Sequence, residues 1–200
     1  MIDLFRRTAR RLHARYVSDV AFVHINKTGG TSIEQALGLR FQHKTALELR
    51  KELGRRNWQR QFSFAFVRNP WDKVASHYRY RVKTNQTGLG TNPLPFKEWV
   101  RRSYGENDPR FYDQPKMFMP QLDWISDEHG AVIVDFVGRF ERIAEDFAVV
   151  CEKLGRHAEL PHLKETTRSD YRRLYDDETA AIVGRWFLKD IDYFHYSFEA

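Results

Sequence analysis

The chain of 200 residues contains one cysteine, Cys151. That excludes an internal disulfide and any cysteine-built metal centre. In its amphipathic setting the thiol is expected to be a small buried hydrophobe. Long apolar runs are missing too, for none approaches the roughly 20 residues that span a bilayer. The opening stretch MIDLFRRTARRLHARY is broken by arginines and has no apolar core of the secretory kind. No repeat or low-complexity tract is visible. A soluble, cytoplasmic protein without a transmembrane segment is the expectation.

What is present describes one ordered domain over 1–200. Hydrophobic residues make up 42% and aromatics 14%, enough for a packed core. A net charge of +6 favours an anionic partner without naming it. The basic segment 1–19 reads as helical, with Leu4, Phe5, Leu12 and Tyr16 expected along one side. Docking on the domain is the favoured reading of that side, with peripheral contact at a membrane surface as the alternative.

Three short runs rich in β-branched and aromatic residues read as buried strands: Val20–Ile25, Phe62–Val67 and Ala131–Val137. Helical patterns lie between and after them. Ile33, Ala36 and Leu37 share a face behind an N-cap at Thr31 or Ser32. Thr45 and Glu48 form a capping box ahead of Ala46, Leu49 and Leu53. Trp71, Val74, Ala75, Tyr78 and Val82 repeat at helical spacing, as do Phe140, Ile143, Phe147, Val150 and Leu154, ending at Gly155. A last helix is expected from about Asp176 to Leu188. Strands alternating with helices predict an α/β fold with a central parallel sheet. The stretches 84–95 and 103–115, rich in Gly, Pro, Asn and Asp, read as long surface loops. In α/β proteins such loops often cover a substrate site.

The chemistry concentrates in two places. In AFVHINKTGGTSIEQAL a strand runs into a lysine, two glycines and three hydroxyls, and a helix follows. Gly29 and Gly30 let the backbone turn and approach a ligand. The coming helix offers unpaired N–H groups and a positive dipole end to an anion. Lys27, Thr28, Thr31 and Ser32 add a cation and hydroxyl donors. A Walker A loop needs its lysine after the glycines, so that motif is absent. Without it, the run AVIVD ending at Asp135 is a strand and no more. The second place is FAFVRNPWDKVASHYRY. There Arg68 ends a strand, Pro70 opens a helix, and Ser76 lies further along it. Arginine at that point faces the crevice where open sheets bind ligands, and its planar fork suits phosphate. A salt-bridging Arg68 and a packing Ser76 are the plain alternatives.

Together, HINKTGGTS and RNPWDKVASHY resemble the cofactor motifs of sulfotransferases that use 3′-phosphoadenosine 5′-phosphosulfate (PAPS). The likeness is to the carbohydrate branch related to the heparan sulfate 2-O enzymes, with its small bacterial members. VDFVGRFERIAEDF, PHLKETTRSDYRRLYD and KDIDYFHYSF look like later segments of that family. The resemblance implies a P-loop-NTPase-like three-layer sandwich with helices on both faces of the sheet. It implies transfer of a sulfuryl group from PAPS to a hydroxyl, a carbohydrate one on this branch, releasing 3′,5′-ADP (PAP) and requiring no metal. By it, residues 27–32 hold the 5′-phosphosulfate, and Lys27 meets the leaving bridging oxygen. Arg68 and Ser76 match the pair that binds the 3′-phosphate. Lys164, Thr166 and Arg168 fall where the family closes a loop over the nucleotide. Asn26 stands where the family usually has proline, and Lys164 where many bacterial relatives have asparagine.

Such a transfer needs a base for the acceptor hydroxyl. Of the eight histidines, His43 precedes the capping box and lies between the two motifs. The resembling enzymes place their catalytic histidine in that interval. Solvent contact or a bond to Thr45 is its plain alternative. Glu34 is the lesser candidate, its other role being a first-turn acid on the helix dipole. His24 is expected to orient the loop, and His77 to point away from the phosphate. Gln121 and Trp124 line an acceptor cleft or serve structure. Asp108, Asp113, Asp123, Asp127, Glu128 and His129 have no metal-ligand spacing.

An ATP-using P-loop kinase is the enzymatic alternative, and the missing GK[ST] counts against it. A non-catalytic polyanion-binding relative is the other, and intact Lys27, Arg68, Ser76 and His43 count against it. Aromatics at core spacing and dispersed Lys and Arg argue against nucleic acid.

Overall fold

The computed structural model describes residues 19–161 and 170–199. In chain order the elements are β1 (Val20–Val23), α1 (Gly30–Leu37), α2 (Ala46–Leu53), α3 (Arg55–Trp58), β2 (Phe62–Val67) and α4 (Pro70–Lys83). Then come α5 (Phe96–Val100), α6 (Pro115–Phe118), α7 (Gln121–Ile125), β3 (Phe136–Arg139), α8 (Ile143–Leu154), α9 (Asp177–Trp186) and α10 (Leu188–Phe194). These residues group into two compact units. One holds residues 19–25, 29–67 and 123–161, the other 26–28, 68–122 and 170–199. No helix of the described residues is long and apolar enough to cross a membrane.

The first unit is built on a parallel sheet of order β1-β2-β3 flanked by helices, the α/β arrangement the alternating pattern calls for. Phe22 lies opposite Phe64, and Phe64 opposite Phe136 in register. Ile33 and Leu37 of α1 and Ile143, Phe147 and Val150 of α8 bury their stripes against Phe22, Phe64 and Phe66. Gly138 leaves room for the Phe66 ring, since a Cβ there would come within 2.6 Å of it. The Thr45–Glu48 capping box is formed, with the Glu48 amide on Thr45 and the Thr45 amide on Glu48. Cys151 is buried, as its pattern requires.

The third strand is displaced from its expected position. Asp127 accepts the amides of His129 and Ala131, each at 3.0 Å, and Gly130 turns at φ +81°. That turn folds the apolar run back, pairing Val132 with Ser126 in an antiparallel bridge. The Asp135 carboxylate then caps Ser63 through its amide at 2.8 Å and its hydroxyl at 2.7 Å. The main chain first meets β2 at Asp135, whose amide donates to the Ser63 carbonyl at 2.8 Å, so β3 starts at Phe136 rather than Ala131.

In the second unit the expected stripe of α4, Trp71, Val74 and Ala75, packs with Trp99, Val100, Phe118, Ile182, Val183 and Phe187. Two of its aromatics use a polar end. Tyr175 donates to the Trp71 carbonyl at 2.8 Å, and Trp71 Nε1 donates to that of Ala180 at 2.9 Å. Two boundaries differ from expectation. The last helical stretch breaks at Phe187, whose backbone leaves helical angles, and resumes as α10. The segment 103–115 begins inside a π-turn, Arg101–Gly105, that buries Ser103 and Tyr104. It is irregular only from Glu106. Residues 84–95 are mostly irregular and exposed, apart from a short 3₁₀ turn and buried Leu89.

Candidate active site

The strand-to-helix loop takes its shape from three residues. Lys27 sits in the left-handed region at φ +67°, an uncommon place for a side-chain-bearing residue and one associated with functional strain. Gly29 follows at φ +86° and is itself the N-cap of α1, with no side-chain cap bond. The helix thus begins at Gly30, ahead of the expected cap at Thr31 or Ser32. Both hydroxyl residues lie in its first turn, Thr31 exposed and Ser32 half-buried. Gly30 has a second reason to be glycine. A Cβ there would lie 2.7 Å from His24 Cγ and closer still to Cδ2 and Nε2 of that ring. Gly30→Ala is expected to cost about 1–3 kcal/mol through overpacking. A lowered urea midpoint at unchanged slope checks it.

Within the second unit, Lys27 and Arg68 are joined. Arg68 donates from its guanidinium to the Lys27 carbonyl at 3.1 Å. It also meets Asp72, one turn on, through Nε at 2.8 Å. Its main chain is gripped at both ends by Gln121. The Arg68 amide donates to Oε1 at 2.9 Å, and Gln121 Nε2 donates to the Arg68 carbonyl at 2.8 Å. Gln121 is in turn held by Asp190, whose carboxylate accepts the Gln121 and Leu122 amides at 2.8 and 2.9 Å. Burial raises the Asp190 carboxyl above the ordinary range. Asn69 caps α4 through the Trp71 amide and donates to the Ser197 carbonyl at 2.8 Å. Ser76 is half-buried on α4.

The Lys27 ammonium lies 4.2 Å from the Tyr80 ring centre. Burial, then the positive charges of Arg68 and Lys83, lower its pKa to about 8. Asn26 donates to the Met117 carbonyl at 3.0 Å, a bond that proline in this position could not make. Thr28 is fully buried.

Within the first unit, His43 lies beside its neighbours His24, Phe41 and Trp124, its ring centre 4.3 Å from that of His24. Its Nδ1 is 2.9 Å from the His24 carbonyl oxygen. A carbonyl can only accept, so Nδ1 carries a proton, and in the neutral ring Nε2 then carries the lone pair, the tautomer of a proton acceptor. Glu34 is buried and stands in the second turn of α1, with no acid in the first. Its Oε1 is 2.9 Å from His24 Nδ1 and accepts the Gln42 amide at 3.2 Å. The expected first-turn role of Glu34 is therefore replaced by an inward one.

Other candidates fall away from chemistry. His77 is buried against Trp99 and Phe118. Burial, reinforced by Lys73, Arg81 and Lys27, keeps its pKa well below 6.5. His129, His157 and His195 are exposed. Among the described residues no group of three His, Cys, Asp or Glu is placed to hold a metal. Lys164, Thr166 and Arg168, like the segment 1–18, lie outside the described residues. Sequence reasoning missed Asp72 and Tyr80. The spacing of Arg68 and Asp72 at i,i+4 was a usable signal, whereas nothing local marked Tyr80.

A family profile described as the sulfotransferase family matches residues 14–197. The chain belongs to that family. Over 130 residues it is 30% identical to an uncharacterized protein of Archaeoglobus fulgidus, an alignment covering 63% of this chain and 95% of the other. No solved structure matches significantly. As a sulfotransferase-family α/β protein the chain is a transferase, and its three-stranded parallel sheet is consistent with the family's P-loop-like fold.

Proposed function

We propose that this sulfotransferase-family protein moves a sulfuryl group from PAPS to a hydroxyl of a saccharide acceptor. The observation that carries the reading is the crowding of positive charge at Lys27. Arg68 and Lys83 repel its ammonium, and partial burial reduces its contact with water. An anionic nucleotide would relieve that repulsion, which is the sense in which the residues fit PAPS. When bound, PAPS supplies an activated sulfuryl group on a phosphate leaving group.

The chain's residues have distinct parts in this reading. Residues 27–32 receive the 5′-phosphosulfate, and Lys27 offsets charge growing on the bridging oxygen. Arg68 and Ser76 receive the 3′-phosphate. His43, its lone pair on Nε2, accepts the acceptor's hydroxyl proton as the new O–S bond forms and the bridging S–O bond breaks. Lys164, Thr166 and Arg168 are assigned, on family resemblance, to a loop over the nucleotide. Acceptor choice is assigned to 84–95 and 103–115, and the carbohydrate class rests on resemblance to the heparan sulfate 2-O branch.

Titration with 3′,5′-ADP and 5′-AMP tests the donor assignment. The bisphosphate is expected to bind more tightly, by a margin that Arg68→Ala and Ser76→Ala each reduce. Equal affinities for the two nucleotides would overturn the assignment of the 3′-phosphate. Label transfer from PAPS to a panel of glycans tests the acceptor. Transfer to non-carbohydrate hydroxyls alone would overturn the saccharide class.

A further inference from the structure

One carboxylate governs the surroundings of His43. Glu34 is 4% exposed and stands on α1, the helix that follows the phosphate-type loop. Its Oε1 accepts the amide of Gln42, the residue immediately before His43, at 3.2 Å. The same oxygen lies 2.9 Å from Nδ1 of His24. That second contact is short without hydrogen-bond alignment, since His24 Nδ1 and Glu34 Oε2 both lack a hydrogen-bond partner. The His24 carbonyl meanwhile takes the Nδ1 proton of His43. Glu34 therefore touches the chain on both sides of the bond that fixes the His43 tautomer.

The geometry points to Glu34 as a positioning residue for His43, holding the imidazole with its proton on Nδ1 and its lone pair on Nε2. A buried carboxylate needs compensation, and here the Gln42 amide donates to it while the His24 ring packs 2.9 Å away. Holding the Gln42 amide fixes where the His43 backbone starts. Packing against the His24 ring, which itself lies on bare Gly30, steadies the residue whose carbonyl His43 uses. Left to itself, an imidazole has no such bond to keep its proton on Nδ1. Glu34 acts through these two contacts and does not itself meet the acceptor. Outer partners of a functional histidine are worth about 10–100-fold when removed in metal sites, and an effect of that size on kcat is expected here.

The inference rests on the reading of His43 as base, so its test begins with a readout that needs no activity. Long-range ¹H–¹⁵N correlation spectra of the histidine-labelled full chain report the tautomer of each ring. His43 is expected to be protonated on Nδ1. In Glu34→Ala it should lose that preference, and kcat should fall roughly 10–100-fold. Glu34→Gln keeps an amide oxygen for Gln42, so it should keep the tautomer and most of kcat. This conservative variant carries the test if circular dichroism shows the alanine variant unfolded. An unchanged tautomer and kcat in folded Glu34→Ala would overturn the positioning role. So would a Glu34→Gln variant as inactive as His43→Ala with the His43 tautomer intact, which would make Glu34 the base. Full transfer by His43→Ala would remove the base reading while the tautomer result still reported on Glu34.

Discussion

Lys27→Ala is expected to lower kcat by roughly 10²–10³-fold, the usual loss when one preorganised charge-stabilising donor is removed. The chain should remain folded. The Lys27 side chain contributes an ammonium repelled by Arg68 and Lys83, and removing it relieves that repulsion. The bond to Arg68 uses the Lys27 carbonyl, which alanine retains. Alanine must still occupy φ +67°, a cost of about 1–3 kcal/mol that the lysine already bears. Single-turnover transfer from PAPS, with thermal unfolding measured in parallel, separates the two effects. Transfer within twofold of the unmodified chain would remove Lys27 from the chemistry.

A pH dependence follows from the same residue. In the proposed reading Lys27 must be protonated to offset charge on the leaving oxygen, and burial with neighbouring positive charge lowers its pKa from 10.5 to about 8. As pH rises through about 8 the charge is lost, so kcat/KM, which reports the free protein, should fall on a basic limb there. A bound polyanion favours the protonated ammonium. The limb in kcat should therefore lie at higher pH. Coincident limbs in both quantities would assign the ionisation elsewhere.

His43→Ala is the second large effect, a loss of about 10²–10⁴-fold in kcat. The ring lies against His24, Phe41 and Trp124 and bonds the His24 carbonyl, outside the main apolar core of its unit. Stability should fall little by comparison. The informative control is binding of 3′,5′-ADP, which His43→Ala should leave within a few-fold of normal, whereas Arg68→Ala should not. Full transfer activity in folded His43→Ala would move the base to another group.

Much of the architecture was legible in the sequence, and for an identifiable reason. β2 and α4 occupy the expected residues because a continuous apolar strand, an Asn-Pro start and a stripe at helical spacing are all local signals. The Thr45–Glu48 box was legible for the same reason. The third strand was not, because Ala131–Val134 has strand composition in either setting. Its fate was settled by Asp135, whose carboxylate caps Ser63 far away in sequence. Likewise, Tyr104 looked like part of a polar loop until burial in a π-turn placed it in the core.

By itself the sequence determined the loop's character and the family. Lys27 ahead of two glycines, with Arg68 and Ser76 following a second strand, is a pattern of residue types, and residue types are what a sequence states. It also required a glycine at Gly29, where the backbone turns left-handed. Only the tertiary structure decided how those residues are held. Gln121 grips Arg68 on both sides, Arg68 grips the Lys27 carbonyl, and Glu34 turns inward to His24 instead of serving the helix dipole. Local spacing encodes which face of an element a side chain occupies. It does not encode which main-chain carbonyl, many residues away, will lie opposite that face once the chain has closed. The His43 tautomer depends on one such carbonyl, and so it became readable only in the folded chain.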